Sequence, residues 1–505
     1  MKYVVLLGLA IAAQAADWLT FSGDARRSGW NRREDAFSPS NVKNLKLEWS
    51  LRTGNQPNEM NSLTAPLVIE KAITPRGFKD LVIVAGSDDN LYAIDADTGK
   101  MFWRKHFSRA ADPKRPGHWL CPNSLNATPA VDKSTRSVYM IASDGKLHTI
   151  NYINGEETAT PVPFVPEFSK NWSLNLVDNV LYTTTSQGCA GGKNNWVWAL
   201  GLEDRKVSFF ASTSTGGAGV WGRAGVAMGS NGRIYAETGD GAYDPEAGKW
   251  ADTILGLSKD MKLVDYYTPA NRAWITKKDL DMGNMSPIVF PFKGRELVAG
   301  AGKEGVIYLL DANKLGGGDH RTPLLRTELI TNEDVNFMAR GFWGAFASWE
   351  EENGTRWLLA PGWGPPTSKT PRFPMSYGDT PHGSVMAFKV AEIAGKPVLG
   401  PAWMSRDMGY PEPPVVAGGV VFAVSSGANE DQIGGEGKLY DSAFRIQHLL
   451  GNAVLYALDA RTGKELWSSG DQMKSWTHFS GLGIGSGRVF VATFDGTVYA
   501  FGFGN

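Results

Sequence analysis

The sequence predicts an all-β fold: an eight-bladed β-propeller with four-stranded antiparallel blades, its ring closed by an N-terminal strand. Three observations predict it. A strand–turn–strand unit recurs along the chain, an orphan strand precedes the first full unit, and helix-forming runs are scarce. The 505 residues include 59 Gly and 18 Trp, with only 20% charged residues. Strand-like runs bounded by Gly, Asp and Asn occur throughout. A chain of this length ordinarily suggests two or more domains, but repeat architectures escape that prior.

The clearest unit is Leu91-Tyr-Ala-Ile-Asp-Ala-Asp-Thr-Gly-Lys-Met-Phe-Trp103, which returns as Leu455-Tyr-Ala-Leu-Asp-Ala-Arg-Thr-Gly-Lys-Glu-Leu-Trp467. Each copy is an alternating strand, a tight Asp…Thr-Gly turn and a second strand ending in Trp. Weaker copies start at Leu147, Val197, Ile254, Ile307 and Val385, and a truncated one, Thr497 to Phe501, ends the chain. The equivalent positions Ile94, Ile150, Leu200, Leu257, Leu310, Phe388, Leu458 and Phe501 define eight units. Strands of the type Leu81 to Ala85 and Val489 to Ala492 precede the copies. Four short strands repeated radially protect sheet edges in the manner of a propeller. The last unit lacks its outer strand, and Leu45-Lys-Leu-Glu-Trp-Ser-Leu51 has the missing character, so it is expected to close the ring.

Lys2, the apolar run Val4 to Ala13 and the small-x-small pattern Ala13-Gln-Ala15 predict a signal peptide over residues 1–15. A single propeller domain over 16–505 would follow. The apolar run is shorter than the roughly 20 residues a membrane span needs, and no later stretch reaches that length. The expected location is periplasmic or secreted, with no membrane span.

The formal net charge of −1 gives no electrostatic reason to expect nucleic acid or an anionic membrane as partner. Two cysteines, Cys121 and Cys189, exclude a Cys-x-x-Cys-His haem attachment and a four-cysteine metal site. No haem is expected. A single disulfide between loops of neighbouring blades suits an oxidising compartment, with two free thiols as the alternative. The seven histidines have no ligand-like spacing, and no nucleotide-binding Gly-x-Gly-x-x-Gly or Gly-x-Ser-x-Gly nucleophile elbow occurs.

The Asp…Thr-Gly…Trp unit resembles the tryptophan-docking motif of the pyrroloquinoline quinone (PQQ) repeat family, the quinoprotein alcohol dehydrogenase-like propellers. Ser38 to Trp49 is similar to that family's N-terminal strand. In the family, the Trp of one blade packs on a peptide of the next. The resemblance implies PQQ, a flat tri-anionic quinone, with a divalent metal such as Ca²⁺ to polarise its carbonyl and a carboxylate to take the alcohol proton.

The resemblance also names candidate residues. Gly216-Gly-Ala-Gly-Val-Trp-Gly222 followed by Gly232 to Asp240 looks like the family's Gly-rich turn and Thr-Gly-Asn strand end. Trp221 would then be the stacking plate, and Asp240 would stand at a metal-ligand asparagine position. By themselves, such a Trp and turn are ordinary packing features. Asp279-Leu-Asp-Met-Gly-Asn-Met-Ser-Pro287 is similar to the family's Trp-Asp-x-Asp stretch, with Asp281 as general base and metal contact and Asp279 in support. The plain reading is a solvated turn. Ala299 to Asp311 resembles the family's Lys-x-Gly-x-x-Tyr-x-Leu-Asp strand pair, giving Lys303 a contact to the quinone oxygen. Arg340-Gly-Phe-Trp-Gly344 implies a pocket tryptophan, Trp343. Gln187 stands near the metal-binding glutamate's place and offers one neutral oxygen. No adjacent cysteine pair occurs. The stretches Pro361 to Pro381 and Ser425 to Gly437 read as insertions that cap the channel or lie on the surface.

The expected activity is oxidation of a small alcohol or polyol, with electrons passing to a separate acceptor such as a soluble cytochrome. Two other readings stand beside it: a non-catalytic scaffold for cell-envelope proteins, and a sugar- or polymer-binding module.

Overall fold

A computed structural model describes residues 15–108, 115–190, 195–213, 216–434 and 436–504. The segment expected to be a signal peptide, residues 1–15, lies outside the described residues apart from Ala15. Strands dominate, and the two α-helices, Arg272–Lys277 and Ser442–Gln447, are short. Among the described residues no helix is long and apolar enough to cross a membrane.

Eight antiparallel blades follow one another along the chain. Blade 1 is built from Leu67–Thr74, Gly77–Gly86, Asn90–Asp95 and Met101–His106. Blades 2 to 7 repeat that order, and blade 8 takes Leu482–Gly485, Arg488–Ala492 and Thr497–Gly502 from the C-terminal end. Its outer strand is Lys46–Arg52, paired antiparallel with Thr497–Gly502. The ring therefore closes by joining the two ends of the described chain, as the orphan strand predicted.

One apolar pair recurs in every blade. Ile94 faces Val82, Ile150 faces Val138, Leu200 faces Leu181 and Leu257 faces Ile234. Leu310 faces Val298, Phe388 faces Leu358, Leu458 faces Val421 and Phe501 faces Val489. Each pair joins the second strand to the third, and all sixteen side chains are buried. Directly opposed residues share a sheet face, so each pair packs the seam with a neighbouring blade.

The docking tryptophans act across three seams. The Trp49 Nε1 donates to Ala96 O at 2.8 Å, Trp103 Nε1 to Tyr152 O at 2.9 Å and Trp403 Nε1 to Ala460 O at 3.0 Å. The turn glycine beneath each indole has positive φ, as at Gly463 (φ 72°), where a Cβ would lie 2.4 Å from the Trp403 ring. Left-handed backbone and ring contact both demand glycine there.

The segment from Ala16 to Asn31 has no counterpart in the sequence reading. It touches the innermost strand region of every blade. Main-chain bonds link Trp18 to Val68, Leu19 to Val131, Ala25 to Met228, Arg26 to Val289, Ser28 to Ser348 and Gly29 to Val416. The buried Arg27 guanidinium bonds Leu174 O in blade 3, and Asn31 Nδ2 donates to Ile484 O in blade 8. Burial in this apolar setting pushes the Arg27 guanidinium down to about 9. The segment thus threads the channel and ties the eight inner strands together.

Candidate functional site

In such a blade order, two kinds of loop reach the same end of the ring: those between second and third strands, and those between successive blades. Gln187, Asp240 and Lys303 follow the second strands Val180–Ser186, Ile234–Glu237 and Arg295–Ala301. Trp221, Asp279 and Asp281 lie in blade-to-blade connections, and Trp343 follows Gly341–Phe342, which pairs with the blade 6 strand Arg356–Trp363. The structure brings all seven to the wall of one cavity of 680 Å³.

Close backbone packing sets this arrangement. The Lys303 N–H donates to Asp281 O at 2.9 Å, and a Cβ on Gly302 would lie 2.4 Å from that oxygen. The Trp221 N–H donates to Gly283 O at 3.1 Å, and a Cβ on Gly283 would meet Gly239 N at 2.5 Å. The loops that bear Trp221, Asp240, Asp281 and Lys303 are thus locked together through glycine contacts.

The side chains form one charged cluster. Lys303 pairs closely with Asp281 and reaches Asp279 Oδ1 at 3.3 Å. The Asp240 N–H donates to Asp281 Oδ1 at 2.6 Å. Asp281 is 3% exposed, whereas the Asp279 side chain is 48% exposed. Candidate ligand oxygens of Asp240, Asp279 and Asp281 lie within 4.8 Å of one another. The Lys303 Nζ sits 5.3 Å from the Trp221 ring and 5.6 Å from the Trp343 ring, and the two indoles meet edge-on at 5.5 Å.

Burial alone would raise the Asp281 carboxyl, but the Lys303 charge and the Asp240 contacts outweigh it and hold it below the usual range. Burial likewise opposes the Lys303 charge, yet Asp281 and Asp279 raise its ammonium above the ordinary value. Asp240 is pushed up to about 8 by burial and by the Asp281 charge. Asp279 rises to about 6 through burial, with Asp281 adding to the rise and Lys303 opposing it. The pair Lys303–Asp281 is therefore ionised at neutral pH, with carboxyls of higher pKa beside it.

Sequence reasoning missed residues both behind and along the cavity wall. Asp252 lies behind Asp281, bonded by Thr276 Oγ1 at 2.5 Å, and burial with the Asp281 charge pushes it up to about 7. A basic sector, comprising Lys170, Arg445 and His478 with Glu430, also lines the cavity. No local motif marks these residues, which come from blade 3, the insertion of blade 7 and the link to blade 8. The insertion after Ser425 supplies Glu430, Gln432 and Ile433 to the wall, so it is more than a surface loop. The Pro361 to Pro381 stretch is only partly an insertion, because the blade 6 strand Arg356–Trp363 runs into it. There Trp363 stacks on Trp343 at 4.5 Å. Cys121 and Cys189 are bonded to each other, with Cα atoms 5.5 Å apart. Their neighbours Leu120 and Gly188 line the cavity.

Part of the chain is similar to known proteins. Residues 18–187 match the family described as glucose/ethanol/alcohol dehydrogenase, beta-propeller domain. The chain is 26% identical over 180 residues to quinate/shikimate dehydrogenase (quinone) of Acinetobacter baylyi, covering 33% of this chain and 21% of that protein. It is 29% identical over 181 residues to quinoprotein glucose dehydrogenase of Escherichia coli, covering 31% of this chain and 21% of that protein. The alignments thus span about a fifth of the length of these relatives.

Among solved structures, quinohemoprotein alcohol dehydrogenase of Comamonas testosteroni superposes with a TM-score of 0.64 at 16% identity. That match covers 98% of this chain and 82% of the other. A europium-containing methanol dehydrogenase gives 0.61 at 14% identity, covering 97% and 98%. At such identities these two show a shared fold. The matched segment and the repeat make the chain similar to the PQQ β-propeller dehydrogenases over its first third, and the two solved structures show the same fold.

Proposed function

We propose that this protein is an exported, periplasmic PQQ-dependent dehydrogenase that oxidises a small alcohol or polyol. The observation that supports it most is the convergence of Trp221, Asp240, Asp281 and Lys303 on one cavity. A propeller used only as a scaffold has no need of a buried lysine between aspartates beneath two indoles.

The residues present fit the cofactor. The cavity volume lies within the usual range for small-ligand sites, about 300–1,000 Å³. Asp240 and Asp281 present the oxygen donors a hard cation such as Ca²⁺ prefers, and the neutral Gln187 oxygen lines the same wall. Trp221 offers a flat face, and Lys303 a fixed positive charge. When bound, PQQ with its cation supplies the acceptor for the two electrons that leave the alcohol carbon with its hydrogen.

The chain's own residues divide the remaining work. Asp281 is closed in by Lys303 and by the Asp240 N–H, so it holds the cluster and a cation. Asp279, whose carboxylate is half open to the cavity, is better placed to receive the hydroxyl proton of the alcohol. That assignment exchanges the expected roles of the two aspartates, on grounds of access. Lys303 balances negative charge that develops at the reacting oxygen. Electrons then leave to a separate acceptor such as a soluble cytochrome.

Titration of the purified protein with PQQ and Ca²⁺, followed by absorbance or calorimetry, tests the proposal. Saturable binding near one equivalent is expected. No binding would leave the scaffold reading ahead.

A further inference from the structure

Most buried charges that line the cavity are paired. Lys303 has Asp281 and Asp279, and Arg445 Nη2 meets Glu430 Oε2 at 2.7 Å. Arg223, further along the same sector, pairs closely with Glu412. Lys170 differs. It is 6% exposed and lines the cavity, yet no carboxylate faces it among the described residues. Its Nζ makes one long hydrogen bond, to Trp119 O at 3.4 Å, and lies 5.5 Å from the Trp172 ring.

The surroundings add no anion to balance it. Arg445 lies over the Trp119 ring at 4.8 Å, so a second cation packs on the residue whose carbonyl Lys170 bonds. Glu430 is already engaged by Arg445 and faces His478 Nε2 at 3.8 Å. Burial and the neighbouring Arg445, Arg223 and Lys170 charges drive His478 well below its ordinary value, so its imidazole is neutral. With Lys170 protonated, the sector formed by Lys170, Arg445 and Glu430 has a net positive charge of one. Burying an unpaired ammonium is costly. For Lys170 that cost appears as a pKa pushed down to about 7 by burial and by Arg445. A group kept at that cost and aimed into a cavity suits an anion brought by a ligand.

We propose that Lys170 is the anchor of a carboxylate-binding subsite in this cavity, separate from the Lys303–aspartate cluster, which takes a carboxylate of the bound small molecule. The inference rests on the dehydrogenase reading for the identity of that molecule, but not for the charge recognition itself. Two sources share the chemistry: the carboxylates of PQQ, and a carboxylate on a hydroxy-acid substrate. A mono- or bidentate charge-assisted bond from Lys170 would then replace its single weak carbonyl contact.

Calorimetric titration of the wild type, Lys170→Met and Lys170→Arg separates the outcomes. The probes are PQQ with Ca²⁺, the trimethyl ester of PQQ with Ca²⁺, and quinate as a polyhydroxy carboxylate. If the cofactor supplies the carboxylate, the wild type prefers PQQ over its ester by about tenfold or more, on the scale of one charge-assisted bond. Lys170→Met loses about tenfold of that preference, the share of one carboxylate among the three the ester masks, and Lys170→Arg keeps most of it. If the substrate supplies it, only the quinate affinity depends on Lys170. Should the wild type bind no PQQ while Lys170→Met loses quinate binding, the dehydrogenase reading fails and the subsite stands.

The ligand-free Lys170→Met protein should also melt at a higher temperature than the wild type, because an uncompensated buried charge has been removed. A lysine kept for structure would give the opposite shift. The proposal is overturned if Lys170→Met binds all three probes as the wild type does. It is equally overturned if no probe binds either protein, or if Lys170→Met melts lower.

Discussion

Two halves of the ring are held by different chemistry. Around the closure, the seams between blades 8 and 1, 1 and 2, and 6 and 7 are each latched by a tryptophan Nε1 on a carbonyl of the next blade. Under the aspartate–lysine cluster, the seam between blades 4 and 5 has no such indole. The equivalent carbonyl is Ala312 O, which follows Asp311 as Ala96 follows Asp95 and Ala460 follows Asp459. It accepts from the Tyr235 hydroxyl at 2.6 Å and from Arg233 Nη1 at 3.2 Å. The acceptor position is retained while the donor changes. The latch is therefore a requirement of the seam's geometry, and the tryptophan is one way to meet it. What the site half of the ring adds is charge: its loops hold Asp240, Asp279, Asp281 and Lys303, whereas the docked half holds its seams with indoles and apolar pairs.

The largest expected effect is on the charged half. With PQQ and Ca²⁺ present, Asp279→Asn should lower dye-linked alcohol oxidation by roughly 10²- to 10⁴-fold while cofactor affinity, read by titration, changes little. Asp281→Asn should weaken cofactor or cation binding as well, since it frees the buried Lys303. Full turnover by Asp279→Asn with a dead Asp281→Asn would restore Asp281 as the proton acceptor.

On the docked half, Trp403 is fully buried and Trp103 is partly exposed. Trp403→Ala should cost about 3–5 kcal/mol, the usual scale for a buried aromatic, and Trp103→Ala clearly less. Equal losses in chemical denaturation would show that the latch bond, and not the buried ring, dominates.

A smaller effect is expected at the hydroxyl latch. Tyr235→Phe keeps the ring and removes one donor, and Arg233 still serves Ala312 O. A loss of about 1 kcal/mol is expected in the same assay. A loss as large as that of Trp403→Ala would show that the two seams depend equally on the bond.

The smallest effect is a pH dependence in blade 2. His148 bonds Glu157 Oε1 at 2.7 Å and Asp144 Oδ1 at 3.3 Å, with its ring 4.5 Å from that of Phe107. Burial disfavours the imidazolium, but the two carboxylates outweigh it and raise the His148 pKa above its ordinary 6.5. The stabilisation is therefore fully present below the unfolded value and is lost as pH rises through the higher folded value. Thermal midpoints of wild type and His148→Gln should converge as pH rises through that window. Parallel curves would mean that the imidazole stays neutral.

Much of this was legible because it is local and periodic. The Leu91–Trp103 unit and its copies announce strand, turn and partner strand within a dozen residues, and the Asp…Thr-Gly turn is required by left-handed backbone at Gly99 and Gly463. The cluster residues were legible for a related reason, since Trp221, Asp240, Asp279, Asp281 and Lys303 each stand in a loop inside a short recognisable stretch. Their relative access was not. Asp279 and Asp281 are two residues apart and look alike in sequence, but one is half exposed and the other closed in by Lys303.

The sequence by itself determined the eightfold repeat and the strand that closes it, because each follows from alternation and turn chemistry over a few residues. Tertiary structure alone decided the rest. The Ala16–Asn31 segment threads the channel because eight inner strands each leave main-chain groups for it to satisfy. Lys170, Arg445 and His478 form one sector because the closed ring brings blades 3, 7 and 8 to the same cavity. Neither arrangement has a local signature, since both join residues well separated along the chain whose only relation is that the ring has closed.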